Sequence, residues 1–462
     1  MNIISLKDNT RNQEFPESPS YHVRRGLDCV AGKNLKVLAS KDFKFIVYPP
    51  LSKELDLGED DVIFNVDYSD ESNLKVSTGN IMGFVGLGNG VRVNIVSRFD
   101  SGDKNFFLHY MLQKICNVAY TPRTGAGEDS FFDFLYYLFP GYLNDALKQG
   151  VYRAYVNREY NDANVRGSID VSRHIRYNIP FNGKIAYHTR EYTTDNFITQ
   201  LIRHTIEYIR FLSCGKSVLD GDVSSKTSDN VKAIEFATPT YNRYSRQHVV
   251  SKNLRPITHP YYTAYEPLRK LCLAILTHKK LSYGENSINQ INGILFNGAS
   301  LWEEYLNIVL AEKFTNRLMH PNNRTGKGAQ YLFKNDDNHN RRWVFPDFMV
   351  GCDVTKGQVN SAKAIIDAKY KPLNGEVGRN DAFQMLAYLF RFKSKQGFLI
   401  HPVKHDDMPQ EPSCMTLYND SSVKLTSVPF VVPKTTGSFE EFRVKMLAAE
   451  EKMKSCLQFE QE

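Results

Sequence analysis

The sequence predicts an α+β multidomain protein. It reads as a β-rich N-terminal domain over residues 1–104, a mostly helical middle region over 105–290, a C-terminal α/β domain with a mixed sheet over 291–435, and a helical tail over 436–462. Three observations predict this. Short apolar or alternating runs separated by turn residues fill the first hundred positions, the apolar period changes to helical spacing from Asn105, and helix and strand patterns alternate after Gly298.

In the first part, Val62 to Val66, Ile81 to Leu87 and Val91 to Val96 read as strands, with Asn89-Gly90 as a hairpin turn between the last two. Gly83, Gly86, Gly88 and Gly90 fit a glycine-rich hairpin better than a phosphate-cradling loop, because a strand and not a helix follows them. Phe106 to Val118, Phe131 to Gln149 and Phe197 to Leu212 carry apolar residues at helical spacing, while Lys216 to Asp229 reads as an exposed loop. The polar, glycine-containing stretch Tyr283 to Gly298 marks the opening of the final domain. There the order is helix (Leu301 to Phe314), strand interrupted by Pro346 (Arg342 to Val350), turn (Gly351 to Ser361), strand (Ala364 to Tyr370), helix (Asp381 to Phe392), then strands at Gly397 to His401 and Val428 to Val432. The last helix places Phe383, Leu386, Ala387 and Phe390 on one face.

A length of 462 residues fits two or three domains. No apolar run is long enough to span a membrane and Met1 to Phe15 lacks the core of a signal peptide, so a cytoplasmic location is expected. Seven scattered cysteines without a CxxC exclude a cysteine-rich zinc site and are expected to be reduced and mostly buried. The balance of 58 basic and 51 acidic residues gives +7, a mild excess. Its distribution is uneven. Tyr241 to Lys280 holds eight basic residues, among them Arg243, Arg246, Lys252 and Arg255, against the single acid Glu266, with five tyrosines interleaved. Basic groups neutralise phosphates and aromatic faces stack on bases, so the stretch fits a nucleic-acid surface; a solvated basic face with tyrosines on its core side fits equally.

Chemistry concentrates further on. Asp347 follows Pro346, and twenty residues later comes Asp367-Ala368-Lys369. Strand alternation puts Asp367 and Lys369 on one face. If the Asp347 strand pairs with theirs, two carboxylates, a lysine and the Ala368 carbonyl converge, a set of hard oxygen donors suited to Mg²⁺, with a cation placed to orient an attacking water. As a bare pattern this spacing occurs by chance in roughly one chain of this length in five, so context decides. Both halves lie in apolar strands, where an aspartate requires a partner or an ion. On the following helix Gln384, Tyr388 and Arg391 form a polar stripe that could hold a DNA phosphate; an ordinary amphipathic helix would look similar.

Taken in order, Leu301-Trp302-Glu303-Glu304-Tyr305, Phe345-Pro346-Asp347, Ile365-Ile366-Asp367-Ala368-Lys369-Tyr370 and Asp381-Ala382-Phe383-Gln384-Met385-Leu386-Ala387-Tyr388 resemble successive blocks of the McrC family, the nuclease subunits of McrBC-type modification-dependent restriction systems. Upstream, Gly83-Phe84-Val85-Gly86 leading into Val93-Asn94-Ile95-Val96, then Tyr152 to Val156, Val165 to Ile169 and Arg190 to Asn196, extend the resemblance, which covers about Ile81 to Ile400. Ser97-Arg98-Phe99 departs from it, standing where the family has a Pro-Lys pair. The resemblance implies a restriction-endonuclease-like PD-(D/E)xK fold for the C-terminal domain. It implies that Asp347 and Asp367, with the Ala368 carbonyl, bind Mg²⁺ (or Mn²⁺), that Lys369 is the catalytic lysine, that Gln384 and Tyr388 are the helix pair after it, and that Glu303 approaches the metal, with Glu304 as its neighbouring alternative. It further implies double-stranded DNA as substrate and a separate McrB-like AAA+ GTPase or ATPase hexamer as partner, docked by the N-terminal and middle parts. The sequence has no GxxxxGK[ST], so no nucleotide site is expected in this chain. A non-catalytic adaptor that activates the motor, and a stand-alone DNA repair nuclease, are the alternative functions.

Overall fold

The computed structural model describes residues 2–14, 21–33, 44–48, 62–69, 74–87, 91–102, 104–116, 129–212, 215–220, 225–282, 292–321, 328–334, 340–373, 377–407, 410–435 and 437–459. The chain forms two compact units. One comprises Met1–Ile115, Thr121–Phe131 and Gly284–Glu462, the other Cys116–Tyr120 and Phe132–Tyr283. The β-rich N-terminal and α/β C-terminal segments, separate in the sequence reading, thus fall within one unit. No helix among the described residues is long and apolar enough to cross a membrane.

The first unit holds a five-stranded sheet in the order Asn2–Lys7, Val91–Val96, Ile81–Gly86, Asn292–Asn297, Lys44–Tyr48. Ile81–Gly86 and Val91–Val96 pair antiparallel, as the alternating runs predict; the Asn89-Gly90 turn lies outside the described residues. Asn292–Asn297 inserts beside Ile81–Gly86 from the far side of the middle region. Gly83 makes room for it: its φ is +126° and a Cβ there would lie 2.0 Å from the Ile294 carbonyl oxygen. Ile4, Leu6, Val85, Val93, Ile95 and Leu295 bury one face of this sheet.

The same unit contains a six-stranded mixed sheet in the order Leu318–Met319, Phe348–Val350, Ala364–Ala368, Gln396–Lys404, Asp420–Val432, Ser413–Leu417. Phe348–Val350 runs antiparallel to Ala364–Ala368, which runs parallel to Gln396–Lys404. Parallel neighbours need a crossover, and helix Arg379–Arg391 supplies it. That helix packs Met385, Tyr388, Leu389 and Phe392 into the core with Ile365 and Leu399. Phe383, Leu386 and Phe390, expected to share its apolar face, are exposed instead. The helix carries two apolar stripes, and periodicity alone does not say which one meets the sheet.

Pro346 splits the expected strand Arg342 to Val350 in two, because proline has no N–H for a ladder. Asn340–Val344 pairs with Gln330–Lys334 as a separate ribbon, and Phe348–Val350 joins the six-stranded sheet. The expected turn Gly351 to Ser361 contains a small hairpin, Asp353–Thr355 with Gln358–Ser361.

The second unit adds a sheet to the mostly helical reading. Ala154–Asp162, Ile185–Thr193 and Ser168–Ile169 form an antiparallel sheet. Its first strand alternates exposed and half-buried residues but is rich in polar side chains, so it carries little hydrophobic signal. Helix Phe197–Arg210 is set by a capping box at Asn196 and Thr199. The expected loop Lys216 to Asp229 contains helix Gly215–Leu219 and the start of helix Ser225–Ala237. Its polar composition conceals them, because the apolar residues that seat the second helix, Val231, Ile234 and Ala237, come later. Of the described free cysteines only Cys272 is buried, against the expectation that most would be.

The C-terminal helix Phe439–Cys456 is fastened by a buried carboxylate. Glu450, 1% exposed, accepts hydrogen bonds from Tyr110 Oη at 2.8 Å and Tyr305 Oη at 2.7 Å and pairs with Lys114 Nζ at 3.1 Å. Removing it strands two buried phenols and leaves Lys114 only Glu312, at 2.9 Å, so Glu450→Ala is expected to lower stability by about 3 kcal/mol. Urea unfolding checks this; a loss near zero would show that the network is not a structural fastening.

Candidate active site

Asp347 stands one step beyond the last paired residues, Phe348 and Ile366, and so lies across from Asp367 at the ends of two antiparallel strands. This is the pairing on which the convergence of the two carboxylates depended. Directly opposed residues share a face. Asp347 Oδ2 also accepts the Ala368 N–H at 2.7 Å, which ties the loop after Pro346 to the strand end.

Asp367 is 3% exposed and Lys369 Nζ lies 2.7 Å from its Oδ2, as strand alternation predicts. The ammonium also meets Gln384 Oε1 at 3.0 Å and Asp381 Oδ1 at 3.4 Å. These three acceptors match its three N–H donors. Gln384 Nε2 in turn donates to Tyr388 Oη at 3.1 Å, which fixes the amide orientation along the helix. Asp347, Asp367, Lys369, Gln384 and Tyr388 are therefore brought together.

The electrostatics follow from burial. Desolvation, then repulsion from Asp367 and Glu303, holds the Asp347 carboxyl well above the usual carboxylate range. Desolvation also raises Asp367, although Lys369 opposes it. Burial pulls Lys369 down, but Asp367, Asp381 and Asp347 outweigh that and raise it. Asp381 is lowered, because Lys371 at 2.7 Å and Lys369 overcome its desolvation.

Two further residues belong to the cluster. Asp381 lies on the same helical face as Gln384 and Tyr388, a placement readable from the sequence by spacing. His320 donates from Nδ1 to the Asp347 carbonyl at 2.6 Å, stacks on Phe348 with ring centroids 4.9 Å apart, and turns Nε2 toward Glu303 Oε1 at 3.7 Å. No local pattern around His320 points to this, because strand pairing brings it there.

Other predicted residues lie elsewhere. Arg391 donates to the Tyr331 carbonyl at 2.6 Å and the Val359 carbonyl at 3.1 Å, away from the cluster. In the second unit Arg243, Lys252 and Arg255 are exposed, whereas Arg246 is half-buried over the Tyr208 ring at 5.5 Å. Arg269 is buried against Glu266, and Tyr262 and Tyr265 are core residues.

Among the described residues no group of three or more His, Cys, Asp or Glu side chains forms a metal cage. Mg²⁺ does not need one, since one or two carboxylates completed by water and substrate phosphate suffice. Two buried carboxylates whose proton affinity is raised by desolvation, one of them also by the other's charge, are relieved by a cation, so the chemistry of Asp347 and Asp367, with Glu303 acting on Asp347, fits such an ion.

This constellation sits inside a family match. Residues 76–402 match the model of the McrBC 5-methylcytosine restriction system component, and the chain belongs to that family. Among solved structures it is similar to a chain in a refined half-complex from the tetradecameric assembly of Thermococcus gammatolerans McrB AAA+ hexamers with bound McrC. Identity there is 14%, coverage 99% of each chain and TM-score 0.49. It is also similar to a chain in a cryo-EM structure of the Thermococcus gammatolerans McrBC complex, with 14% identity, 68% of this chain and 89% of that chain covered, and TM-score 0.32. No curated protein matches.

An acid whose folded-state proton affinity is raised loses stability as pH climbs from its unfolded value, about 3.9, through the raised folded value. Asp347→Asn keeps an oxygen for the Ala368 amide and removes the charge. In chelator, its thermal midpoint is expected to exceed that of the unsubstituted protein at pH 7, with the two converging toward pH 4. A lower midpoint at pH 7 would contradict the desolvation argument.

Proposed function

We propose that this chain is the Mg²⁺-dependent DNA-cutting subunit of a McrBC-type restriction complex, with residues 291–435 as a PD-(D/E)xK endonuclease domain and a separate McrB-like AAA+ GTPase or ATPase hexamer as its motor. The observation that carries this reading is the opposition of Asp347 and Asp367 with Lys369 bound to Asp367 on the same face. Membership of the McrBC component family supports the partner, and a sequence without GxxxxGK[ST] is consistent with nucleotide hydrolysis on another chain.

In this reading Asp347, Asp367, the Ala368 carbonyl and Glu303 hold Mg²⁺, which supplies Lewis acidity toward a phosphoryl oxygen. Lys369 is the residue that meets the attacking water or the phosphate. Its three donors are matched by Asp367, Gln384 and Asp381, so release of any one acceptor frees an N–H for the substrate. Gln384 and Tyr388 keep the ammonium aimed, and the Tyr388 hydroxyl, accepting from Gln384, retains its own proton for a phosphate oxygen. His320 fixes the main chain at Asp347.

The test is cleavage of 5-methylcytosine-containing duplex by the complex with a McrB-type hexamer. Asp347→Ala and Asp367→Ala are expected to cut at least about 10²-fold more slowly. Lys369→Ala is expected to lose cutting yet still stimulate the partner's NTPase. Unimpaired cutting by either aspartate variant would refute the site.

The exposed cations of the second unit are proposed to contact duplex DNA. Arg243→Gln, Lys252→Gln and Arg255→Gln combined should weaken DNA binding by the isolated chain and reduce its log-log salt slope by about 0.9 for each phosphate no longer neutralised. Unchanged affinity and slope would assign these residues another role.

A further inference from the structure

Ser97-Arg98-Phe99, the motif that departs from the family pattern, meets the residue that follows the candidate catalytic lysine. The ladder between Ala364–Ala368 and its parallel neighbour ends at Ala368 and Ile400. Lys369 lies beyond it, its backbone held there by the hydrogen bond from its N–H to the Ile400 carbonyl at 2.9 Å. The next residue, Tyr370, is 6% exposed and gripped on several sides. Arg98 Nη2 donates to the Tyr370 carbonyl, and the guanidinium lies 4.9 Å from the centre of its ring. Phe99 meets that ring edge-on at 5.2 Å, and Ser97 Oγ lies 2.9 Å from its hydroxyl. Gly298, which begins the helix bearing Glu303, abuts the same ring so closely that a Cβ would stand 2.6 Å from Tyr370 Cε1. Behind Arg98 is Asp8, fully buried, whose Oδ1 accepts the Arg98 N–H at 2.5 Å and whose Oδ2 is 3.9 Å from the guanidinium.

We infer that Asp8, Arg98 and Tyr370 form a clamp through which the N-terminal sheet sets the position of Lys369. Side chains alternate past the strand end, so Tyr370 points away from the cluster while Lys369 points into it. Fixing the tyrosine's ring and carbonyl fixes the C-terminal side of the lysine's root, which on its N-terminal side has the main-chain bond to Ile400. Arg98 suits this task because one planar guanidinium can donate to a carbonyl and lie on an aromatic ring together, which an ammonium does poorly. Asp8 supplies the counter-charge that lets the guanidinium be buried. Arg98, Asp8 and Tyr370 are thus positioning residues. The inference rests on the nuclease reading above, because its readout is DNA cutting.

The experiment compares Arg98→Gln, Arg98→Lys, Lys369→Ala and the double variant Arg98→Gln/Lys369→Ala in the complex with a McrB-type hexamer, following single-turnover cutting of 5-methylcytosine-containing duplex and stimulation of the partner's NTPase. Arg98 is buried and offers no docking surface. Arg98→Gln is therefore expected to slow cutting by about 10²-fold, the scale of a 1 Å misplacement, with NTPase stimulation retained. Arg98→Lys should fall between it and the unsubstituted protein. The double variant should cut no more slowly than Lys369→Ala, because both lesions act on one group. Full-speed cutting by Arg98→Gln, or multiplicative losses in the double variant, would overturn the clamp. If Arg98→Gln does not fold, Arg98→Lys decides: slower cutting with intact NTPase stimulation supports the clamp and full-speed cutting refutes it. Failure of the unsubstituted complex to cut at all overturns the nuclease reading and the clamp with it, a result distinct from the others.

Discussion

Two carboxylates set against each other at the ends of adjacent strands, with little water to screen them, are the constraint to which the C-terminal domain conforms. Asp347 and Asp367 both have raised proton affinity, and desolvation is the leading cause for each. The surrounding charges compensate in part. Lys369 lies between Asp367 and Asp381, and Lys371 pairs with Asp381 from the other side. Three aspartates thus face two lysines, and Glu303 adds repulsion at Asp347. The residual excess is negative, and a cation or a proton must meet it. Burial of like charges is costly as structure and useful as chemistry, which is why such sites are candidates for function.

The five-stranded sheet of the same unit depends on contacts distant in sequence. Asn292–Asn297 leaves its own neighbourhood to pair with Ile81–Gly86, and only then does the helix bearing Glu303 begin at Gly298. The sequence shows a polar, glycine-containing stretch there and so reads it as a boundary between domains. What it does not show is that Gly83, on a strand some two hundred residues earlier, is bare so that this later strand can approach. Ile81–Gly86 and Val91–Val96 were legible as short apolar or alternating runs, whereas Asn292–Asn297 was hidden in that polar stretch; which strands become neighbours was not legible, because pairing is decided by surfaces and not by local period.

The same distinction governs the site. Asp347, Asp367 and Lys369 could be aligned from alternation and one assumed pairing, and Asp381, Gln384 and Tyr388 share a helical face by spacing alone. Arg391 shares that spacing, but the carbonyls of Tyr331 and Val359 hold it, and nothing local distinguishes an arginine aimed at substrate from one satisfying strand ends. The basic, tyrosine-rich stretch of the second unit divides likewise. Tyr262, Tyr265 and Arg269 serve the core, while Arg243, Lys252 and Arg255 remain at the surface. Composition could state both uses and could not sort residues between them.

The choice between Glu303 and Glu304 shows what placement adds to pattern. Adjacent residues on a helix point about 100° apart, so only one of the two can face a given strand end. Glu303 is the one that contributes repulsion at Asp347 and that His320 Nε2 approaches at 3.7 Å. His320 reaches this point because Leu318–Met319 pairs with Met349 and Val350, immediately after the Asp347 loop. Its Nδ1 proton is committed to the Asp347 carbonyl, so Nε2 is the ring atom left to face Glu303. Strand pairing thus brings the histidine and the glutamate together beside Asp347, and neither spacing nor composition around Leu301 to Tyr305 could have made that choice.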